Sequence, residues 1–402
     1  TGTTLRVLRP PIGDGSEGKL YAAALSPDGT RLAVGGYESP DDKWGNFYEI
    51  SLSSGVIIQT FKGHSNVIQD LAYSPDGRML ISGSNDKTAR IWDTGSGECT
   101  QTLSGHTAEI YGVVFSPDGR QCATAADDDT AAIWNVDDGK RTAVLKGHTD
   151  NVRCIDWSPD GRRIATGSYD HTIRLWDQNG QFLRTFDQLG ERNISSITFT
   201  ADSGRLLWTH GYGTGARETG LLDVSTGQVS ARFTAHTSTI MHGTLSPDGK
   251  LAATADGQGD TFVWRTSDAT QVAKLAGRGQ VTWSAAWSMD GNSIAWGNTN
   301  RGIGPNSTDP LEHSFDLRAL KFGAAPDDSF QRARYQQGST QLKSSGKTTV
   351  DVLRSGKKQT TLQFSTDYHR NYNTVQCFTL LPGDRAAVGA NFGLYLFDTG
   401  SG

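Results

Sequence analysis

The sequence predicts an all-β fold built from tandem copies of one four-stranded unit, and three observations support this. The tetrapeptide Ser-Pro-Asp-Gly starts at Ser26, Ser74, Ser116, Ser158 and Ser246, with degenerate versions at Thr200, Ser288 and Leu381. Glycine takes 48 of 402 positions, about 12% against a usual ~7%, which suits a chain full of tight turns. No stretch keeps a 3.6-residue apolar period long enough for a helix.

The three central tetrapeptides are 42 residues apart, and other residues keep step with them. Gly-His pairs place His64, His106 and His148 ten residues before the serine, and His236 keeps that offset in an Ala-His pair. Trp92, Trp134 and Trp176 close the same units, again 42 apart. A period of this size means stacked supersecondary units. Residues 148–186 read as one of them. VRCIDWS alternates and turns through SPDG into RIATGS; a tight turn leads to TIRLWD, and QNG leads to QFLRTF. Period-two runs between Gly/Asp/Asn turns are strands joined by hairpins.

With its G-H opening, SPDG turn and W-D close, the chain resembles the WD-repeat β-propeller family. The resemblance covers nearly the whole chain, is strongest in 64–187, weaker in 188–277 and weakest in 278–371. It implies one propeller domain over 1–402. Counting first turns gives eight four-stranded antiparallel blades, with 335–371 as an insertion carrying an extra hairpin. Seven blades plus an inserted hairpin is the alternative. The C-terminal LYLFDTGSG matches ARIWDTGSG at 89–97, a third strand and its turn. Residues 3–9 (TTLRVLR) match the missing fourth strand, so the last blade is expected to close beside 391–398 and leave no open edge. The opening LRVLRPPIGDGSEGKLYAAALSPDG and the close CFTLLPGDRAAVGANFGLYLFDTGSG also resemble propeller segments of bacterial WD-repeat proteins fused to caspase-like peptidase domains. That resemblance implies a sensor or scaffold half, with the peptidase Cys–His pair outside this chain.

Composition narrows the partners. Charged residues are 20% and the net charge is −5, with Lys and Arg scattered, so no nucleic-acid partner is expected. A mean hydropathy of −0.47 and the absence of a long apolar run predict no membrane helix. Cys99, Cys122, Cys154 and Cys377 lie far apart without a CxxC pair, which predicts free thiols in a reducing, cytoplasmic setting and no zinc site. No signal peptide opens the chain; it starts at Thr1, as expected of a processed product or a piece of a longer polypeptide.

Several constellations look like chemistry. His64, Ser82, Asp86 and Trp92 recur as His106, Thr124, Asp128 and Trp134, and as His148, Thr166, Asp170 and Trp176. Three copies of a Ser/Thr–His–Asp triad are more than one enzyme needs. The WD-repeat resemblance implies instead buried hydrogen-bond chains that pin each blade's turns. The sixth unit keeps His236, Thr254 and Trp264 but has Gln258 where the aspartate is due. The first, fifth, seventh and eighth lack the set and are expected to rely on packing. SSGKTTV at 344–350 lacks the first glycine of a phosphate loop, Gln341 standing there, and reads as a hairpin turn. The Asp-Thr-Gly triplets at 93–95 and 398–400 read as turns, as do Asp127, Asp128 and Asp129, which lack the spaced oxygen partners of a calcium site. GTGARETG at 213–220 reads as a long loop between second and third strands.

Propellers bind through loops at one mouth of the channel, and the register locates them. Five residues before each turn lie Tyr21, Gln69, Tyr111, Arg153, Ser195, Met241, Trp283 and Gln376. Eleven residues after it, in the well-registered units, lie Tyr37, Asn85, Asp127, Tyr169 and Gly257. The first ring holds no general acid or base but several aromatics, an Arg and a Met, the types that dominate binding centres. Three segments break the repeat, 37–46, 298–312 and 335–371, and partner-specific contacts are expected there. The expected function is a non-catalytic scaffold or sensor that holds a protein or peptide partner, with an attached effector domain. No cofactor is implied. A hydrolase or lyase at the channel mouth, and a small-ligand or glycan binder stacking on Tyr21, Tyr111 and Trp283, are the alternatives.

Overall fold

A computed structural model describes residues 19–37, 45–51, 54 and 56–275, and beyond them the backbone of strands between Val281 and Asp398. Among the described residues there is no helix. Six four-stranded antiparallel sheets follow one another over 19–61, 68–104, 110–146, 152–186, 192–233 and 240–275. Each is a meander whose strands a to d run in chain order. A further four-stranded sheet spans 281–322, and three strands pair over 375–398. Within 335–371, the expected hairpin of Thr349–Arg354 and Lys357–Gln363 is joined by Thr340–Gly346 and the short Gln336–Gln337. Residues 3–9, expected to close the last blade beside 391–398, lie outside the described residues.

The Ser-Pro-Asp-Gly turn makes the first hairpin of each unit. In the third sheet, Ser116 Oγ donates to Asp118 Oδ1 (2.6 Å) and accepts the Gln121 N–H (3.0 Å), while the Gly119 N–H closes on the Ser116 carbonyl at 2.9 Å. Gly119 has φ +71°, a left-handed conformation that glycine enters without a Cβ penalty. The degenerate TADSG keeps the geometry with other residues. Thr200 Oγ1 donates to Asp202 at 2.5 Å, and Ser203 takes the glycine's place at φ +59°.

The core lies between sheets rather than within them. Ile81, Ile91 and Leu103 of the second sheet pack on Ile110, Phe115 and Trp134 of the third, and like layers join each of the first five sheets to the next. Middle strands are therefore buried on both faces, as in Cys122–Ala126, whereas outer strands alternate with solvent, as in Cys99–Ser104. The a strands of neighbouring sheets stand side by side from the first to the seventh, and polar staples join several of them. Asp70 accepts the Val113 N–H (2.9 Å), Asp156 accepts the Phe199 N–H (2.7 Å), and Ser196 Oγ accepts the Gly243 N–H (3.0 Å).

Candidate interaction face

The recurring His, Ser/Thr, Asp and Trp residues come together in space. His64 Nδ1 lies 2.7 Å from Asp86 Oδ2, its Nε2 lies 2.7 Å from Ser82 Oγ, and Trp92 Nε1 donates to the same hydroxyl at 2.8 Å. His106 meets Asp128 at 2.9 Å and Thr124 at 2.7 Å; His148 meets Asp170 and Thr166, each at 2.8 Å. Trp134 and Trp176 close their chains at 2.9 Å. A carboxylate only accepts, so Nδ1 carries the hydrogen and Nε2 receives the hydroxyl proton.

These are the distances of a catalytic triad. What separates them from one is access: Ser82, Thr124 and Thr166 are each 0% exposed, and each hydroxyl also accepts a tryptophan N–H. No reacting atom can reach the hydroxyl. Burial works against the carboxylates of Asp86, Asp128 and Asp170, but hydrogen bonds from their histidines and the following threonines outweigh it and hold their pKa values well below the usual range. Burial likewise pushes the His64 pKa down.

Two units depart from expectation. In the sixth, His236 bonds Thr254 (2.8 Å), and its aspartate is Asp256, at 2.9 Å, rather than a residue at position 258. Gln258 turns outward and takes a hydrogen bond from Thr237. The acid has moved two residues back along strand b, to the register of Ser84 and Ser168, and is fully buried there. The expectation of a missing acid came from holding the spacing rigid. The fifth unit does not rest on packing alone. Ser195 and Ser196 both meet Thr209 Oγ1 (2.7 and 2.9 Å), and Ser195 also reaches the Ile240 carbonyl of the sixth sheet at 2.9 Å.

Every position five residues before a turn sits at a β-bulge. Pairing of strands a and b skips Tyr21, Gln69, Tyr111, Arg153, Ser195, Met241, Trp283 and Gln376. An extra residue on one strand re-aims its side chain and twists the edge locally. The position eleven after the turn is tied to the same end, because the N–H groups of Asn85, Asp127, Tyr169 and Gly257 bond the carbonyls of Val67, Glu109, Asn151 and Thr239. Side chains from the two series then meet. Gln69 donates to Asn85 at 3.0 Å. Arg153 lies 3.5 Å over the Tyr111 ring and 4.7 Å over the Tyr169 ring, with Nε 3.0 Å from Asp127 Oδ1 in an ion pair off the hydrogen-bond axis. Burial pushes the Asp127 carboxyl up to about 6 against the pull of Arg153, and Glu109, Asp129 and Asp150 add to the rise. Tyr21 is 36% exposed and Met241 is half-buried. The side chains of Tyr37, Trp283 and Gln376 lie outside the described residues.

Gly346 of strand Thr340–Gly346 pairs with Thr349 of the next strand, and Asp93 Oδ1 accepts the Ser96 N–H at 2.7 Å. GTGARETG loops only from 214 to 218, its ends lying in strands Arg205–Gly213 and Thr219–Asp223. Cys99, Cys122 and Cys154 are free thiols, and burial pushes the Cys122 and Cys154 pKa values up. Among the described residues no three His, Cys, Asp or Glu side chains are placed to hold a metal ion.

Compared with known proteins, residues 19–304 match the model of the IFT122 first beta-propeller. The chain belongs to that propeller family. It is similar over 80 residues to the intraflagellar transport protein 122 homolog of Xenopus tropicalis (38% identity; 20% of this chain, 6% of the relative). It is similar over 64 residues to WD repeat-containing protein 18 of Danio rerio (41%; 13% and 15%). The serine-threonine kinase receptor-associated protein of Homo sapiens matches over 75 residues (33%; 19% and 20%). The matched stretches span a fifth of these relatives' length or less. The WD-repeat propeller reading of the turns, histidines and tryptophans thus stands.

Proposed function

We propose that this propeller is a non-catalytic interaction module that holds a protein or peptide partner across the end carrying the bulges and the b–c turns. The recurrence of one bulge at the same position in eight a strands supports this reading, because a bulge marks the same point of each unit and re-aims the extra residue. At its best-described part this end offers Tyr111, Tyr169 and Arg153, residue types that concentrate binding energy. Asp127, the carboxylate nearest them, is taken up by Arg153, which disfavours a hydrolase or lyase there. A relative named as receptor-associated fits the same reading. In a longer bacterial protein the module would act as the sensor or scaffold half beside an effector domain, in the cytoplasm.

The test is capture of a partner by the immobilised chain, its identification, and its affinity for Tyr111→Ala and Tyr169→Ala with folding verified. A loss of tenfold or more in either is expected. Unchanged affinity in both would move the docking surface elsewhere, and turnover of a small molecule blocked by the same substitutions would revive the enzyme reading.

A further inference from the structure

The fifth unit holds a buried cation without a carboxylate partner. Eight residues before its turn stands Arg192, where the second, third, fourth and sixth units have Asn66, Ala108, Asp150 and Ser238. Arg192 is 4% exposed, and a guanidinium that deep is normally matched by an acid. Here its Nε and Nη1 donate to the Gly215 and Gly211 carbonyls, at 3.0 and 2.9 Å. Burial, and then the charge of Arg217, lower the Arg192 pKa, and no carboxylate raises it.

The long b–c hairpin brings the two arginines together. Strand b runs Arg205–Gly213, nine residues, against six in Arg163–Ser168 of the fourth unit. It feeds the loop 214–218, where Gly215 has φ +93° and nothing stands within 4 Å of a Cβ placed on it. By bonding both Gly211 and Gly215, Arg192 ties down the base of this loop, while Arg217 stands exposed on it.

Two carbonyls do not exhaust the Arg192 fork. A guanidinium has five N–H donors, and Nη2 of Arg192 makes no hydrogen bond among the described residues, yet it is not sealed from solvent. A group outside the loop can therefore reach it. Of the acids nearby, Glu218 is taken by Arg232, and exposed Glu191 pairs with neither Arg192 nor Arg217 among the described residues. The unspent groups are thus donors that carry positive charge. Tyr212, on the same hairpin, is 54% exposed and lies toward Tyr169.

We propose that this hairpin binds a phosphate monoester, the side chain of a phosphorylated residue on the docked partner, whose oxygens accept from Arg192 Nη2 and from the Arg217 guanidinium. Guanidinium forks match phosphate oxygens, and two of them suit a group of charge about −1.5 to −2 at pH 7 better than a carboxylate of charge −1. The partner half of this assignment rests on the proposed docking face; the preference for a phosphate does not. A chain lying over Tyr111 and Tyr169 would pass Tyr212 and present its phosphate to the fifth unit.

The experiment is calorimetric titration of the full chain at low ionic strength with N-acetyl-O-phosphoserine amide, N-acetylaspartic acid amide and glycerol phosphate. The phosphoserine probe should bind saturably, on the order of tenfold tighter than the aspartate probe. Its affinity should fall between about pH 7.5 and 5, as the phosphate takes up its second proton near pH 6. Arg192→Gln should abolish saturable binding, Arg217→Gln should weaken it about threefold or more, and Arg184→Gln, on the outer rim, should leave it unchanged. Equal affinity for the aspartate probe, an affinity that does not fall with pH, or full binding in both Arg192→Gln and Arg217→Gln would each overturn the proposal. Tighter binding of glycerol phosphate than of the phosphoserine probe would overturn the partner half by assigning the site to a small organic phosphate. If Arg192→Gln does not fold, the exposed Arg217→Gln still decides it. None of these readouts uses a protein partner, so their failure leaves the docking reading to stand or fall on Tyr111 and Tyr169.

Discussion

The guanidinium of Arg153, on the fourth sheet, lies 3.5 Å from the centre of the Tyr111 ring on the third. Tyr169 lies 4.7 Å from the same guanidinium and Asp127 pairs with Nε, so one side chain links two sheets at the loop end through three partners. Arg153 is therefore both a surface feature and a tie between neighbouring units. Arg153→Ala is expected to weaken partner binding by about 2 kcal/mol or more if the cluster forms the contact centre. It should also lower stability by about 0.5–2 kcal/mol from the lost cation–π contacts. Trp283→Ala, at the same register position, should also weaken binding. Arg184, whose guanidinium bonds the Ser225 and Thr226 carbonyls on the outer edge, serves as control. Calorimetric titration beside thermal unfolding separates the two effects, and a loss of affinity confined to Arg184→Ala would place the partner on the rim.

The buried chains make a stability prediction. Asp170 accepts hydrogen bonds from His148, Thr172 and the Thr149 N–H, all of which Asp170→Ala would strand. A destabilisation of about 1–3 kcal/mol is expected, with partner affinity unchanged in the folded fraction. Denaturant unfolding measures it. An intact fold that has lost an enzymatic activity would mean that the chain is a triad after all.

In the sixth unit the same logic discriminates two neighbours. Asp256→Ala should cost about 1–3 kcal/mol because it strands buried His236. Gln258→Ala should stay within about 0.5 kcal/mol, since that side chain is exposed. Equal effects would show that the acid has not moved to position 256.

Asp70 and Asp156 predict the pH dependence. Burial without a counter-ion pushes each carboxyl up to about 7, although the Val113 and Leu71 N–H groups on one, and the Phe199 and Trp157 N–H groups on the other, pull down. A folded pKa above the unfolded value means the native state binds the extra proton. Their contribution is fully present below about pH 4, the unfolded carboxyl range, and is lost as pH rises toward 7. The aspartates bonded to His64, His106 and His148 act in the opposite sense, and their contribution is lost only in stronger acid. Unfolding free energies of wild type and Asp70→Asn/Asp156→Asn between pH 4 and 7.5 should diverge, the wild type losing on the order of 1 kcal/mol or more per carboxyl relative to the variant. Parallel curves would show that these carboxyls titrate normally.

What could be read without coordinates was whatever repeats within one unit. The SPDG turn, the His–hydroxyl–Asp–Trp spacing and the positions five before and eleven after the turn are short-range relations along strands of fixed rise, so a register of 42 residues carries them from unit to unit. The bulge itself was not visible, but its position was, because the same offset recurs in every a strand. Asp256 was legible in principle, as the only acid at the register of Ser84 and Ser168; the rigid spacing hid it. Relations between units had no such signal. That Arg153 reaches Tyr111 and Asp127 of the preceding sheet, and that Asp70 takes the Val113 N–H, depend on how neighbouring sheets stack. Side-chain shape and burial in the assembled layers select those partners, and no periodicity along one strand encodes them.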